Sequence, residues 1–380
     1  MSSTPVLVHL EHLVAFDTQN PPREIDGDDD IFRYCSETVG ASFRTATWDH
    51  GDGHVSWLAV RGQPSVLFNV HLDTVPAGAG WDDDPLSLQV RNGRAYGRGA
   101  CDIKGAAAAL LAIAAERPDN MALLFTSDEE GAGGCCVQNF LDSGEGERFD
   151  QVIVAEPTRC RAVLGHRGFL SVKTRFAGEP GHSSEARALQ DNANHQAARW
   201  MSAALDAAAA RRLAPDDPGS CFNIGLFDGG TKSNVIAGSA FIHWSARLRP
   251  GESNDAFLEE IKSCLPEGTA ADWEVPFKGE PLPAGGQSDG AAGKFCEQHG
   301  LPGGKPVDFW TEASLFSAAG LPALVLGPGD IAQAHAANEW VDIDQLETAA
   351  QIYSDCLLYT SPSPRDNIAN LGCRLLLVTG

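Results

Sequence analysis

Apolar and polar positions alternate from Phe68 to Asp73, where Phe68, Val70 and Leu72 interleave with Asn69, His71 and Asp73. A period of two is the signature of a β-strand, and Thr74-Val75-Pro76 ends it because proline has no N–H to give to a ladder. Over residues 4–16 the apolar positions Val6, Leu7, Leu10, Leu13 and Val14 recur three and four apart, which predicts an amphipathic helix closed by Asn20-Pro21-Pro22. The alanine-rich run after Ile103 predicts a second helix over 103–116. Further strands are predicted at Ser56–Val60, Val66–Leu72, Ala122–Thr126 and Gln151–Ala155, with a helix near 133–143. Strand and helix alternate, which implies an α/β fold with a mixed, mostly parallel sheet flanked by helices.

From about Gly168 the pattern changes. The strand-like FLSVKTRFAG, a long helix at Asn192–Arg212 and strands at Cys221–Phe227 and Ala240–Leu248 read as an inserted α+β domain of about a hundred residues. The α/β pattern resumes after Phe277 with helix Ala291–His299, strand Ala323–Leu326 and helix Asp344–Cys356. The expected organisation is one discontinuous domain, 1–167 with 276–356, interrupted by 168–275. Ser361-Pro362-Ser363-Pro364 breaks the last helix, and residues 357–380 read as a foreign or frame-shifted extension rather than native structure.

Composition narrows the function. The 380 residues with 43% hydrophobic content are enough for one large core or two smaller ones. A net charge of −23 removes the cationic footprint that phosphate contacts demand, so neither nucleic acid nor an anionic membrane surface is an expected partner. No apolar run approaches the length of a membrane span, and the first residues lack the basic and apolar regions of a signal peptide. A cytoplasmic protein is therefore expected. The ten cysteines, scattered and without C-x-x-C, fit small buried hydrophobes in a reducing compartment. The acidic run Glu24–Asp30 lacks calcium-loop spacing and reads as a solvated, partly mobile face.

In an α/β sheet, ligands gather where strands end, and ligand-type residues recur at those places. His71 and Asp73 close one strand; Asp102 follows the Gly97-Arg98-Gly99 turn; Glu129 and Glu130 follow Thr126; Glu156 follows Ala155; His335 lies in GPGDIAQAHAANE. Imidazole with carboxylates is a donor set for zinc and similar divalent ions. With one bridging carboxylate, two ions would each have three protein ligands. His71 and Glu156 are assigned to one ion, Glu130 and His335 to the other, and Asp102 to both, with positions left for water. The plainer alternatives are a hydrogen-bonded strand-end histidine, a helix N-cap at Asp102, and a solvated acidic turn at Asp128-Glu129-Glu130.

The motifs FNVHLDTVP, GRGACDIKG, TSDEEG, AEPT, GHSS, SNVIAGSA, RLRPG, DFWTEASLF and GPGDIAQAHAANE, in this order over residues 5 to 356, resemble the M20 metallopeptidase family. More narrowly they resemble its acetylornithine and N-acetylcitrulline deacetylase branch. The resemblance implies a homodimeric hydrolase with two divalent ions, Zn2+ or Co2+, that releases acetate from an N-acetyl amino acid of arginine biosynthesis. It implies Glu129 as general base, Asp73 as the group that orients His71, and a cis peptide between Asp102 and Ile103. It also implies that the insert is a dimerisation lid whose His182 serves the partner's site, while Asn234 and Arg247, with Arg249 as the alternative, hold the substrate carboxylate. Glu312 would meet the far end of the substrate, whether ammonium or ureido. Glu156 departs from the aspartate of many relatives, which lengthens one ligand and keeps its chemistry. The competing readings are a dipeptidase or carboxypeptidase of the same family and, in another class, a non-enzymatic nucleotide- or metal-binding protein. The missing Ser/Thr after Lys104 and the Asp102 in the third-glycine place argue against a nucleotide loop.

Overall fold

A computed structural model of the chain describes residues 4–360 except 23, 118, 132–134, 212–218 and 285–289. The first elements are α1 (Pro5–Ala15), α2 (Asp30–Val39), β1 (Arg44–Asp49), β2 (Val55–Arg61), β3 (Val66–His71), β4 (Gln89–Arg91) and β5 (Arg94–Tyr96). They are followed by α3 (Lys104–Glu116), β6 (Met121–Thr126), α4 (Cys135–Asp142) and β7 (Gln151–Val154). Next come β8 (Phe169–Ala177), α5 (Ala193–Ala210), β9 (Cys221–Gly229), β10 (Ser239–Arg247), α6 (Asn254–Ser263) and β11 (Ala271–Gly279). The chain closes with α7 (Gly290–His299), α8 (Ala313–Ala318), β12 (Ala323–Val325), β13 (Trp340–Asp342) and α9 (Ile343–Thr360). Two compact units result: Met1–Leu164 with Asp289–Gly304 and Thr311–Gly380, and Gly165–Ser288 with Lys305–Trp310.

The first unit is built on a sheet of order β1-β2-β6-β3-β7-β12. Strands β6, β3, β7 and β12 run parallel, and β2 and β1 add an antiparallel edge. The mixed, mostly parallel architecture is the one that the alternating pattern predicts. Helices α1, α2 and α9 pack on α3, which lies along β3 on one face, while α4 and α8 cover the other. Alanine is what lets α3 occupy that crowded position: every residue from Lys104 to Ala114 is buried. At Gly105 a Cβ would stand 2.4 Å from the carbonyl oxygen of Ala100, so only glycine admits this close approach of helix and preceding turn. Helix α1 starts where Thr4 accepts the N–H of Leu7 at 3.4 Å and Pro5 pre-sets the first turn. Its buried stripe is Val6, Leu7, Leu10, Leu13 and Val14, each side chain stabilising by about 1.5–3 kcal/mol.

Strand β3 is buried at all six positions, so the polar members of its period-two pattern face protein rather than water, as central strands covered on both sides do. The acids Glu24, Asp26, Asp28 and Asp30 are exposed, as a solvated face requires, and the run also starts a helix: Asp29 is the N-cap of α2 and Asp30 its first residue, because Ile31, Phe32, Cys35 and Val39 have a core to enter. The extension proposed for 357–380 lies largely outside the described residues, and α9 runs to Thr360, three residues beyond that boundary.

The second unit is an antiparallel sheet of order β11-β8-β10-β9 with α5 and α6 on one face. Its core joins Val172, Phe176, Trp200, Ile242, Trp244, Phe257 and Ile261. The two fully buried indoles of this core are satisfied, Trp200 donating to the Ile261 carbonyl and Trp244 to Thr174 Oγ1, each at 3.0 Å.

Candidate metal centre

The C-terminal ends of β3, β6 and β7 carry the ligand-type residues into one place. His71 is the last residue of β3, Glu130 follows β6 by four residues, and Glu156 follows β7 by two. Asp102 comes from the turn before α3. It is not that helix's cap, a place taken by Ile103 without a side-chain hydrogen bond, so the alternative of Asp102 as an N-cap falls away. The Asp102–Ile103 peptide is cis, as the resemblance implies.

Asp102 stands between two histidines. Its Oδ1 lies 3.2 Å from His71 Nε2, and its Oδ2 lies 3.2 Å from His335 Nε2. Each imidazole has one more carboxylate: Glu156 Oε1 at 3.5 Å from His71 Nε2, and Glu130 Oε1 at 3.0 Å from His335 Nε2. The result is two histidine–glutamate pairs, one on each oxygen of a shared aspartate. His71, Asp102 and Glu130 offer ligand atoms that all lie within 4.8 Å of one another. Glu156 Oε1 is buried with no hydrogen-bond partner, an orphaned acceptor of the kind that a cation satisfies. Hard carboxylates with two imidazoles fit zinc and neighbouring divalent ions.

The electrostatics agree with that donor set. Burial alone would lower His71, yet the carboxylates of Glu156, Asp102, Asp73 and Glu129 outweigh it and hold the imidazolium well above its ordinary range. His335, whose side chain is 52% exposed, is pushed up to about 10 by Asp102 and Glu130. Burial raises Glu129, Glu130 and Glu156, and neighbouring carboxylates add to the rise. Burial also acts to raise Asp102, but the two imidazoles overcome it and lower this carboxyl. A cluster with so many acids binds protons or cations.

Asp73 organises the rim. The imidazole Nδ1 of His71 sits 2.9 Å from the Asp73 carbonyl oxygen and 3.4 Å from its carboxylate. The carboxylate accepts the N–H groups of Glu129 at 3.3 Å and Glu130 at 3.0 Å, and the Asn20 amide at 2.8 Å. Asn20 is tied in by its own N–H to the Thr74 carbonyl at 2.7 Å. The first acid of the triplet is elsewhere engaged: Asp128 faces His54 Nδ1 at 2.8 Å and accepts the Cys136 N–H at 3.0 Å. His54, Asp128 and Cys136 also bring ligand atoms within 4.8 Å of one another, but Asp128 is already engaged by His54 and by the Cys136 N–H, and Cys136 Sγ donates to the Val55 carbonyl at 3.3 Å.

Glu312 is fully buried, with Oε2 accepting from Thr126 Oγ1 at 3.0 Å and Oε1 unpartnered. Burial first, then Asp128, pushes its carboxyl up to about 8. A carboxyl raised in the folded state stabilises most below its unfolded pKa and loses that contribution as pH rises through the folded value. The metal-free protein is therefore expected to lose stability between about pH 5 and pH 8, by an amount on the order of a few kcal/mol. Glu312→Gln flattens this slope in urea titrations at the two pH values; an unchanged slope contradicts the assignment.

The second unit holds the other candidate residues. His182 and Asn234 lie on two exposed loops joined by a bridge between His182 and Val235 and by the Ser183 N–H on the Asn234 carbonyl at 3.1 Å. Arg247, at the end of β10, places its guanidinium 3.9 Å from the Phe169 ring centroid. Arg249 instead leans on Glu252 at 3.7 Å. Asn20, Arg98 and Glu339 carry no local sequence signal of a role at the site, since their partners are distant along the chain; only the position of Glu339 at the end of the His335 motif points to it.

The chain matches the family described as Peptidase family M20/M25/M40 over residues 67–359. It is 46% identical to the N-acetyl-L-citrulline deacetylase of Xanthomonas campestris pv. campestris, covering 90% of this chain and 94% of that protein. It is 31% identical to the acetylornithine deacetylase of Vibrio atlanticus, covering 83% and 86%. Among solved structures, aminopeptidase PepT of Bacillus cereus superposes with a TM-score of 0.72 over 93% of this chain and 97% of the other, at 18% identity, a likeness of fold.

Proposed function

The chain belongs to peptidase family M20/M25/M40, and from that premise we propose that it is a di-metal deacetylase acting on an N-acetyl amino acid, N-acetyl-L-citrulline before N2-acetyl-L-ornithine. The observation that carries the chemistry is the shared aspartate: Asp102 offers one oxygen to the His71–Glu156 side and the other to the His335–Glu130 side. The ions, zinc or cobalt, would supply Lewis acidity that lowers the pKa of water and polarises the amide carbonyl. Glu129 is the group to take the proton from the attacking water and pass it to the leaving nitrogen. It is half-buried, it interacts electrostatically with His71, Glu130, Glu156 and Asp102, and neither histidine uses it as a hydrogen-bond partner. Asp73 positions that base through its backbone N–H and fixes His71 through the other ring nitrogen.

The order of substrates follows the 46% identity to the citrulline enzyme. Roles for His182, Asn234 and Arg247 in oxyanion and carboxylate binding, for the second unit as a dimerisation lid, and for a cytoplasmic homodimer rest on the family resemblance, whereas Glu312, fully buried behind Thr126, presents no surface to a substrate. No described helix is long and apolar enough to cross a membrane. The test is acetate release from the two acetyl amino acids side by side, with zinc or cobalt and after chelation. Metal-dependent turnover, faster on acetylcitrulline, is the expected result. Turnover of dipeptides but of neither acetyl amino acid overturns it in favour of a peptidase.

A further inference from the structure

The three segments that carry His71, Asp102 and His335 meet at one buried ion pair. Glu339 and Arg98 are each 1% exposed, and Arg98 Nη1 donates to Glu339 Oε2 at 2.5 Å. The other oxygen of Glu339, Oε1, accepts two backbone N–H groups, from Cys101 at 2.9 Å and from Asp102 itself at 3.0 Å. Arg98 Nη2 donates to the carbonyls of Pro76 and Ala77, both at 3.3 Å, just past the end of β3. The Glu339 carbonyl accepts the N–H of Gly97 at 3.0 Å. Residues 71–77, 97–102 and 335–339 are thereby pinned to one another through two side chains.

We propose that Glu339, held by Arg98, is the positioning residue that fixes the backbone of Asp102 so that its carboxylate spans the two histidine–glutamate pairs before any ion arrives. The inference rests on the di-metal reading given above and goes beyond it. Glu339 is not itself a ligand, since Oε2 is taken by the guanidinium and Oε1 by two amides. Stability alone does not account for the pair, because apolar residues of similar volume often do as well as a buried ion pair. What an apolar pair cannot do is accept the Asp102 N–H. The turn offers no slack, since Gly99 sits at φ +80° and a Cβ there would stand 2.9 Å from both the Lys104 and Thr74 side chains. Groups that orient a ligand without touching the ion typically govern metal affinity by 10–100-fold.

Glu339→Gln removes the charge and one acceptor, so that three donors compete for a single amide oxygen. Zinc affinity is measured by competition with a chromophoric chelator on the full chain, alongside melting temperature, kcat and KM. The expected result is two zinc ions per chain in the wild type, with the variant binding them about 10–100-fold more weakly and losing kcat with KM held. A merely structural role lowers the melting temperature and leaves the affinity of the folded protein unchanged, which overturns the proposal. Wild-type protein that binds no zinc sinks the di-metal reading instead. Should the variant not fold, hydrogen exchange on the metal-free wild type decides: protection of the Cys101 and Asp102 amides is expected, and free exchange until zinc is added overturns the inference.

Discussion

Replacing Glu129 with glutamine lowers kcat for acetate release by about 10²–10⁴-fold, the range spanned by a lost general base, while both ions remain bound. The substitution keeps shape and the backbone N–H that reaches Asp73 Oδ1 at 3.3 Å, so the loop that presents Glu130 is undisturbed. It removes only the carboxylate that can take and return a proton. In the metal-free protein burial, reinforced by Glu130, Glu156 and Asp102 and opposed by His71, holds that carboxyl well above the ordinary range; bound divalent ions would lower it toward the carboxylate form that a base needs. Metal content measured with the rate separates a lost base from a lost ligand. A variant within tenfold of wild type contradicts the assignment of Glu129.

Asp102→Ala removes both ions at once. Each oxygen serves a different imidazole at 3.2 Å, so neither half of the site keeps three protein ligands. His335→Ala, by contrast, leaves His71, Glu156 and Asp102 in place and is expected to retain one ion. Divalent ions held there would bring the pKa of water from about 16 down to about 7, so activity in Asp102→Ala is expected to fall to background. Metal analysis after gel filtration is expected to give none for Asp102→Ala and one for His335→Ala. Equal metal content in the two variants contradicts a shared ligand.

The parts of the molecule that were legible beforehand are those encoded locally. The β3 pattern, the alanine run of α3 and the stripe of α1 each announce an element within a dozen residues, and acids and histidines at strand ends stand out against an α/β frame. The helix α2 escaped because the acidic run in front of it drew the reading, although Ile31, Phe32, Cys35 and Val39 carry helical spacing. Strands β4, β5, β12 and β13 have only three residues each, too short for a period to show, and only β12 was read. Strand β1 lies at the sheet edge and is largely exposed, so its apolar signal is weak. The supports of the centre were illegible for a different reason. Asn20 meets Asp73 across 53 residues, and Glu339 meets the Asp102 turn across 237; no local pattern reports such a contact, and only the fold brings its halves together.

Anomalous diffraction from zinc-loaded crystals tests the centre most directly. The prediction is two peaks, one within bonding distance of His71, Glu156 and Asp102 and the other of His335, Glu130 and Asp102. A single peak, or a peak at His54, Asp128 and Cys136 with none between the two histidines, would contradict it.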